Sequence, residues 1–419
     1  MPDRGRGPRR PHHPFSRQGY PGGLAALPGS VAANHIKFVH RVQIKNYRSI
    51  GACNVDLEDL TFLVGQNGSG KSNFLDALGF VTDALRSTLD HALRDRGGIN
   101  EVRRHSGGHP THFGIRLDFA IKEQTGHFAF EVGAMPNGGF RVRRERFSFR
   151  SHRYEVSNGE VVQTTLAGPA VTGDRLYFGN LSGFPEVRPA YDALSSMGFY
   201  SLNPEQIRDH QPPDAGVLLA RDGRNLASVL AHLEAEQVSA KERIVEYLSQ
   251  VVAGIEDVER RGMGQKETLE FRQQMQGSAH PWRFQASNMS DGTLRALGVL
   301  VSLFQTGNGS GTSAPLVGIE EPAAALHPGA SGALLDALVE ASQFRQVLVT
   351  THSPDLIDDR KIDAGSLLSV VAESGVTKVS PVAESNRKVL QEHLFSAGEL
   401  LRLNQLKPDI RLFESVPSS

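Results

Sequence analysis

The sequence predicts an α/β fold with a parallel sheet, joined to a lobe of antiparallel strands. Three observations carry that expectation. After Ser287 the chain alternates TLRALGVLVSLFQ, PLVGI, GASGALLDALVEAS and QVLVTT, and helix-strand alternation of this kind builds parallel sheets. Nearer the start, LTFLVGQNGSGKSNFLDAL passes from an apolar run through a glycine-rich turn into a helical pattern with Phe74, Leu75 and Leu78. Between these regions FGIRLDFAI, GHFAFEVGAM and GGFRVRRERFSF alternate in hydrophobicity and are split by turn residues, as antiparallel strands are.

Taken in order, residues 1–34 are basic and rich in Pro and Gly without an apolar stretch, and read as a disordered tail rather than a secretory signal. Its Arg4, Arg6, Arg9 and Arg10 could touch phosphates or simply be solvated. An N-terminal lobe spans 35–205, beginning with the strand FVHRVQIKNYRSI and its apolar Val39, Val42 and Ile44. PNGG at 136–139 signals a hairpin. Residues 206–285 form a helical and linking insert, with two helices parted near Ser239 and apolar stripes at Leu226, Val229, Leu230, Leu233 and then Ile244, Leu248, Val251. A C-terminal lobe covers 286–360 and an extension covers 361–419.

Lys and Arg number 45 against 46 Asp and Glu, so any nucleic-acid surface has to be a local patch. A single cysteine, Cys53, excludes an internal disulfide framework and favours a reducing compartment, the cytoplasm. No window approaches the roughly 18 consecutive apolar residues of a membrane span, so a soluble protein is expected.

Residues 65–72, GQNGSGKS, fit G-x-x-x-x-G-K-[ST] at every fixed position. Glycines at 65, 68 and 70 tolerate backbone conformations that turn N–H groups inward, those of Asn67 and Ser69 among them, to cradle phosphates. Lys71 would reach the β- and γ-phosphates and the Ser72 hydroxyl would ligate Mg²⁺, so ATP and Mg²⁺ are the expected ligands.

Three later segments narrow the reading. Ser290 is placed to cap a helix striped with Leu294, Leu297, Val301 and Phe304, and Gly292 allows close backbone approach, so this helix start is a second phosphate binder. LVGI is a short strand buried on both faces, and it ends at Glu320 and Glu321, where ligands of open α/β sheets sit. Successive residues point to opposite sides, so one carboxylate can face Mg²⁺ and the other the attacking water. One strand later, His352 is placed to hydrogen-bond a γ-phosphate.

In this order IKNYRSI, GQNGSGKS, NMSDGTLRAL, LVGIEEP with ALHP, and VTTHSPDLID resemble the ABC-type, AAA-family ATPases of the SMC, RecF and OLD group. The resemblance implies a P-loop NTPase head of the ABC type, with an antiparallel β lobe and a helical insert between Walker A and the signature motif. It further implies Mg²⁺-dependent ATP hydrolysis and an ATP-dependent homodimer, in which residues 290–293 contact ATP on the opposite subunit. Glu320 and Glu321 take the Walker B positions with Glu321 catalytic, His352 that of the switch histidine, and Asn46 and Arg48 that of an Asn-x-Arg near the phosphates. Glu320 stands where many relatives have Asp, and Ala323 where an acid is expected. For the Q-loop glutamine, Gln124 is available without a deciding context.

About 220 residues separate Lys71 from Ser290, too many for a transporter ATPase and too few for a long coiled-coil arm. The stretch after His352 is too short for an appended Toprim nuclease. Two functions follow. The first is an ATPase that drives or gates a DNA-acting complex in repair or defence. The second is an ATP switch that controls a separately encoded nuclease or toxin without touching DNA. RVRRERFSFR could track a DNA backbone or form a strand with a solvated basic face.

Overall fold

A computed structural model describes residues 37–105, 110–306, 314–360, 362–409 and 411; the basic tail lies outside the described residues. The chain opens with a hairpin of β1 (Val39–Tyr47) and β2 (Ile50–Asp56), then β3 (Leu60–Val64) leads into the helix Lys71–Arg86. A meander follows: β4 (His112–Ile121), β5 (Gln124–Ala134), β6 (Phe140–Phe149), β7 (His152–Ser157) and β8 (Glu160–Thr164). The turn at 136–139 is the predicted one, with Gly138 and Gly139 at φ 86° and 80°. Next come β9 (Gly198–Tyr200), then β10 (Ile255–Met263), β11 (Lys266–Gln273) and β12 (Trp282–Gln285). The last strands are β13 (Leu316–Glu320), β14 (Gln346–Thr351), β15 (Leu367–Glu373) and β16 (Val376–Pro381).

All but β10–β12 join one sheet, in the order β8-β7-β6-β5-β4-β1-β2-β16-β15-β3-β14-β13-β9. From β15 to β9 the neighbours are parallel, while β8 to β2 form an antiparallel wing. The parallel strands are buried on both faces, and period-2 alternation divides their side chains between two cores. Phe62, Val64, Val317, Ile319, Val347 and Val349 face the helices Asp291–Phe304 and Ser331–Ser342. Leu63, Leu316 and Leu348 face the Lys71 helix and the wing. Carried one step further along β13, the same parity puts Glu320 on the side of the Lys71 helix.

Three features depart from the sequence reading. The insert helices, Leu226–Glu236 and Val238–Val251, part at Gln237 and not at Ser239. Gln237 leaves helical geometry, and its Oε1 accepts from Thr306 N at 2.9 Å. The insert also holds a second sheet, β10-β11-β12, in a region read as helical and linking. Residues 367–381, read as part of an extension, supply β15 and β16 to the middle of the main sheet, and the described residues form one unit.

The wing carries a buried carboxyl. Glu145 of β6 accepts from Tyr154 Oη at 2.6 Å, Tyr177 N at 2.7 Å and Phe178 N at 2.8 Å. It therefore satisfies the start of the short helix Tyr177–Asn180 and fastens that segment to the wing, where Phe178 meets Phe128 and Phe147 with ring centroids at 4.7 Å. Burial pushes this carboxyl up to about 7 against the three donors, from an ordinary 4.5. Between those values the folded protein binds a proton that the unfolded chain does not, so this group's contribution to stability falls as pH rises through the window. Relative to Glu145→Gln, the wild type should lose about 3 kcal/mol of unfolding free energy between pH 4.5 and 7, and no more above it. Urea unfolding across that range checks this, and a difference independent of pH would contradict it.

Candidate functional site

The loop 65–70 is pressed against the two strands that the sequence reading left outside the sheet. A Cβ on Gly65 would lie 2.1 Å from the Val370 carbonyl oxygen of β15. One on Gly70, which has φ 100°, would lie 2.0 Å from Thr377 Oγ1 of β16. Gly68 turns at φ 77° in open space. Thr377 Oγ1 donates to Ser69 O at 2.9 Å and lies 2.7 Å from Ser49 Oγ, which accepts from Asn73 Nδ2 at 2.6 Å. The Ser69 hydroxyl is buried without a hydrogen-bond partner.

Lys71 opens the helix, buried. Its ammonium donates to Gly65 O at 2.8 Å and Gln66 O at 3.0 Å and stands 3.5 Å from Glu321 Oε1. Burial draws its pKa below the ordinary lysine value, and Glu321 holds it up.

Glu321 is one residue beyond β13 and has φ 44°, a left-handed backbone uncommon outside glycine. Two contacts hold it there: its N–H donates to Thr350 O at 3.1 Å and approaches Thr350 Oγ1 at 3.2 Å. Its Oε2 accepts from His352 N at 3.2 Å and lies 2.8 Å from His352 Nδ1. The carboxylate thus joins the end of β14 to the phosphate-loop lysine.

Glu320 points the other way, as strand parity requires. Its Oε2 accepts from Ser201 Oγ at 3.3 Å, its Oε1 lies 3.7 Å from Arg221 Nη2, and it shares a hydrogen bond with Ser72. Burial raises its pKa, and Arg221 is the largest opposing influence.

Arg48, expected near phosphates with Asn46, sits with Nε 3.0 Å from Asp76. Asp76 belongs to the Lys71 helix, one turn beyond Ser72, and also binds Tyr47 Oη at 2.7 Å and Arg96 Nε at 2.9 Å. Asn46 and Arg48 both take left-handed φ, 54° and 46°. Ser290 caps its helix as predicted, accepting from Thr293 N at 3.2 Å, and Gly292 leaves room for the Ala325 carbonyl, 2.4 Å from where its Cβ would be. Gln124 lies at the start of β5, bonded to Arg150 in the wing and apart from this cluster. Ser201, at the end of β9, is the residue that reaches Glu320 from that side. Ala323, where an acid was expected, is buried in the apolar core.

Sequence reasoning missed Ser201, Arg221, Asp76 and Thr377. Asp76 had a signal, an acid within the apolar stripe FLDALGF.

The residues present fit a nucleoside triphosphate and Mg²⁺. The loop offers backbone N–H groups at a helix start, a buried lysine and the unpartnered Ser69 hydroxyl, as polyphosphate requires. Mg²⁺ is usually held by one or two protein oxygens together with substrate phosphates and water, and Ser72 with Glu320 is such a set. Among the described residues no cluster of three or more His, Cys, Asp or Glu side chains gathers for a metal, and no helix is long and apolar enough to cross a membrane.

The family described as "AAA ATPase domain" matches residues 38–119, and that described as "AAA domain, putative AbiEii toxin, Type IV TA system" matches residues 255–358. No curated protein matches the chain. Among solved structures, the SMC head bound to the C-winged helix domain of ScpA is similar, with TM-score 0.54 and 17% identity, over 83% of this chain and 99% of that one. The SMC head domain with an extended coiled coil bound to the C-terminal domain of ScpA, from Pyrococcus furiosus, gives TM-score 0.53 and 15% identity, over 85% and 100%. At such identities the likeness speaks for the fold. The two AAA matches, on either side of residues 120–254, thus lie in a chain with the fold of an SMC head.

Proposed function

We propose that this ATPase binds ATP with Mg²⁺ on the loop 65–72 and hydrolyses it with Glu321 as the catalytic carboxylate. The convergence of Lys71 and His352 on that one carboxylate is the observation that carries the reading. Lys71 spends two donors on its own loop and turns the third toward Glu321, from which a phosphate oxygen would take it over. Ser72 and Glu320 would hold Mg²⁺, directly or through water, and the ion would supply charge to neutralise the phosphates. Glu321 orients the attacking water and takes up its proton, while the His352 N–H and ring fix the carboxylate's position. His352 in turn hydrogen-bonds the γ-phosphate and so senses its departure.

Ser290 is exposed at the start of a capped helix, which suits it to the ATP of a second copy, whereas Gly292 is buried against the Ala325 carbonyl. The protein on this reading closes as an ATP-dependent homodimer and drives or gates a DNA-acting complex in repair or defence. A second reading, an ATP switch controlling a separately encoded nuclease or toxin, is favoured by the wing. Arg144 and Arg146 of the basic strand both pair with Glu155, at 2.8 Å and 3.2 Å, so part of the expected DNA-facing charge is neutralised. The toxin-antitoxin wording of the second matched family agrees with it. Duplex DNA titrated at two salt concentrations separates the two, because phosphate binding weakens steeply with salt.

Glu321→Gln should slow ATP hydrolysis by about 100-fold or more while ATP stays bound, with dimer persisting in light scattering. Undiminished turnover would remove Glu321 from the role. Gly65→Ala should cost about 1–3 kcal/mol of stability and abolish ATP binding, because a methyl group there meets the Val370 backbone. Gly68→Ala, in open space, should cost about 1 kcal/mol from its left-handed φ alone. Equal costs in urea unfolding would refute the close approach of loop and strand.

A further inference from the structure

Residues 203–225 leave β9 and return beside it before the helix Leu226–Glu236 starts. Ser201 N donates to Arg221 O at 2.9 Å and Asn203 N to Asp222 O at 3.0 Å, so the return is tied by backbone hydrogen bonds. These bonds lay Arg221 alongside Ser201, whose hydroxyl already reaches Glu320. The half-exposed guanidinium then spans two carboxylates, with Nη2 3.7 Å from Glu320 Oε1 and Nη1 3.7 Å from Asp76 Oδ1.

The two carboxylates depend on it unequally. Asp76 already has Arg96 at 2.9 Å, Arg48 at 3.0 Å and the Tyr47 hydroxyl at 2.7 Å. For Glu320, Arg221 is the only cationic side chain within ion-pairing distance among the described residues. A guanidinium and a divalent cation at one carboxylate repel each other, so the two compete for Glu320.

The same loop grips the helix that carries Ser290 near both ends. Arg208 donates to Met289 O at 3.3 Å and pairs with Asp291. Leu219 N donates to Gln305 Oε1 at 2.9 Å, beyond the helix's last turn.

We propose that Arg221 is the resident counter-charge of Glu320 and gives up that carboxylate when a divalent cation is held there. The loop 203–225 thereby registers metal at the nucleotide site and passes the change to the helix Asp291–Phe304. This rests on the reading of Glu320 as the metal-side carboxylate.

The experiment is a Mn²⁺ titration of the full chain with AMP-PNP, read by the EPR signal of free Mn²⁺, for wild type, Arg221→Gln, Arg221→Lys and Glu320→Gln. Arg221→Gln should bind Mn²⁺ about three- to tenfold more tightly, as removal of partly screened competing contacts predicts. Arg221→Lys, which keeps the charge, should stay within about twofold of wild type. Unchanged or weaker binding by Arg221→Gln, with Glu320→Gln weakened, overturns the role of Arg221 alone. Equal binding by wild type and Glu320→Gln overturns the reading of Glu320 itself. Hydrogen exchange gives an independent readout: adding Mn²⁺ to the AMP-PNP complex should speed exchange at the Ser201 and Asn203 amides in wild type and leave Arg221→Gln unaffected. The same exchange with and without Mn²⁺ in wild type would overturn the loop's part in the proposal.

Discussion

A buried ammonium sets the terms for the rest of this site. Lys71 is taken out of water at the start of a helix, where the positive helix end repels it further, and an unpaired ammonium there would be expensive. Two loop carbonyls answer its donors and one carboxylate answers its charge. The first requirement bends the loop back over its own lysine, which brings Gly65 against β15 and Gly70 against β16. The second requires the chain to put an acid just past the end of β13 and to turn it out of the strand at φ 44°. A left-handed glutamate is tolerable because Thr350 accepts its N–H and His352 meets its carboxylate. Loop, strand ends and histidine are thus solutions to one electrostatic problem.

A second buried charge ties this centre to the wing. Asp76 lies one turn along the same helix, buried, and a carboxylate taken out of water is costly unless it is paired and hydrogen-bonded. Tyr47 and Arg48 come from the end of β1 and the turn after it, Arg96 from beyond the helix, and Arg221 from the insert. Four side chains from three segments far apart in the chain therefore meet on one carboxylate of the nucleotide-loop helix.

Much of this was legible in the sequence where the determinants are local. The loop 65–72, the Ser290 cap, the 136–139 turn and the alternation of β4–β6 each depend on residues within one turn or strand. What was missed depends on pairing at a distance. β11 buries Glu267, Thr268 and Glu270 along with Leu269 and Phe271, so burial does not follow its polar and apolar residues, and the alternation in LEFR and WRFQ spans too few residues to mark a sheet. Strands β15 and β16 look like an appendage until β3 is seen to need a parallel neighbour. Ser201 and Arg221 carry no signal of their own. They matter because β9 pairs with β13 and the insert folds back on β9, and a lone serine or arginine in a loop announces neither.

Strand geometry also accounts for the pairing of two identical acids. Parity along β13 sends Glu320 toward the Lys71 helix, where Ser72, Ser201 and Arg221 surround it. Had the strand continued regularly, Glu321 would have entered the opposite core among Val317 and Ile319, where a carboxylate has no partner. The left-handed turn at Glu321 removes it from that core and returns it to the mouth of the site, opposite Lys71. Adjacent residues thus reach different partners because one obeys the pleat and the next breaks it. That break is held from β14, so the spacing between two parallel strands decides where the second acid stands.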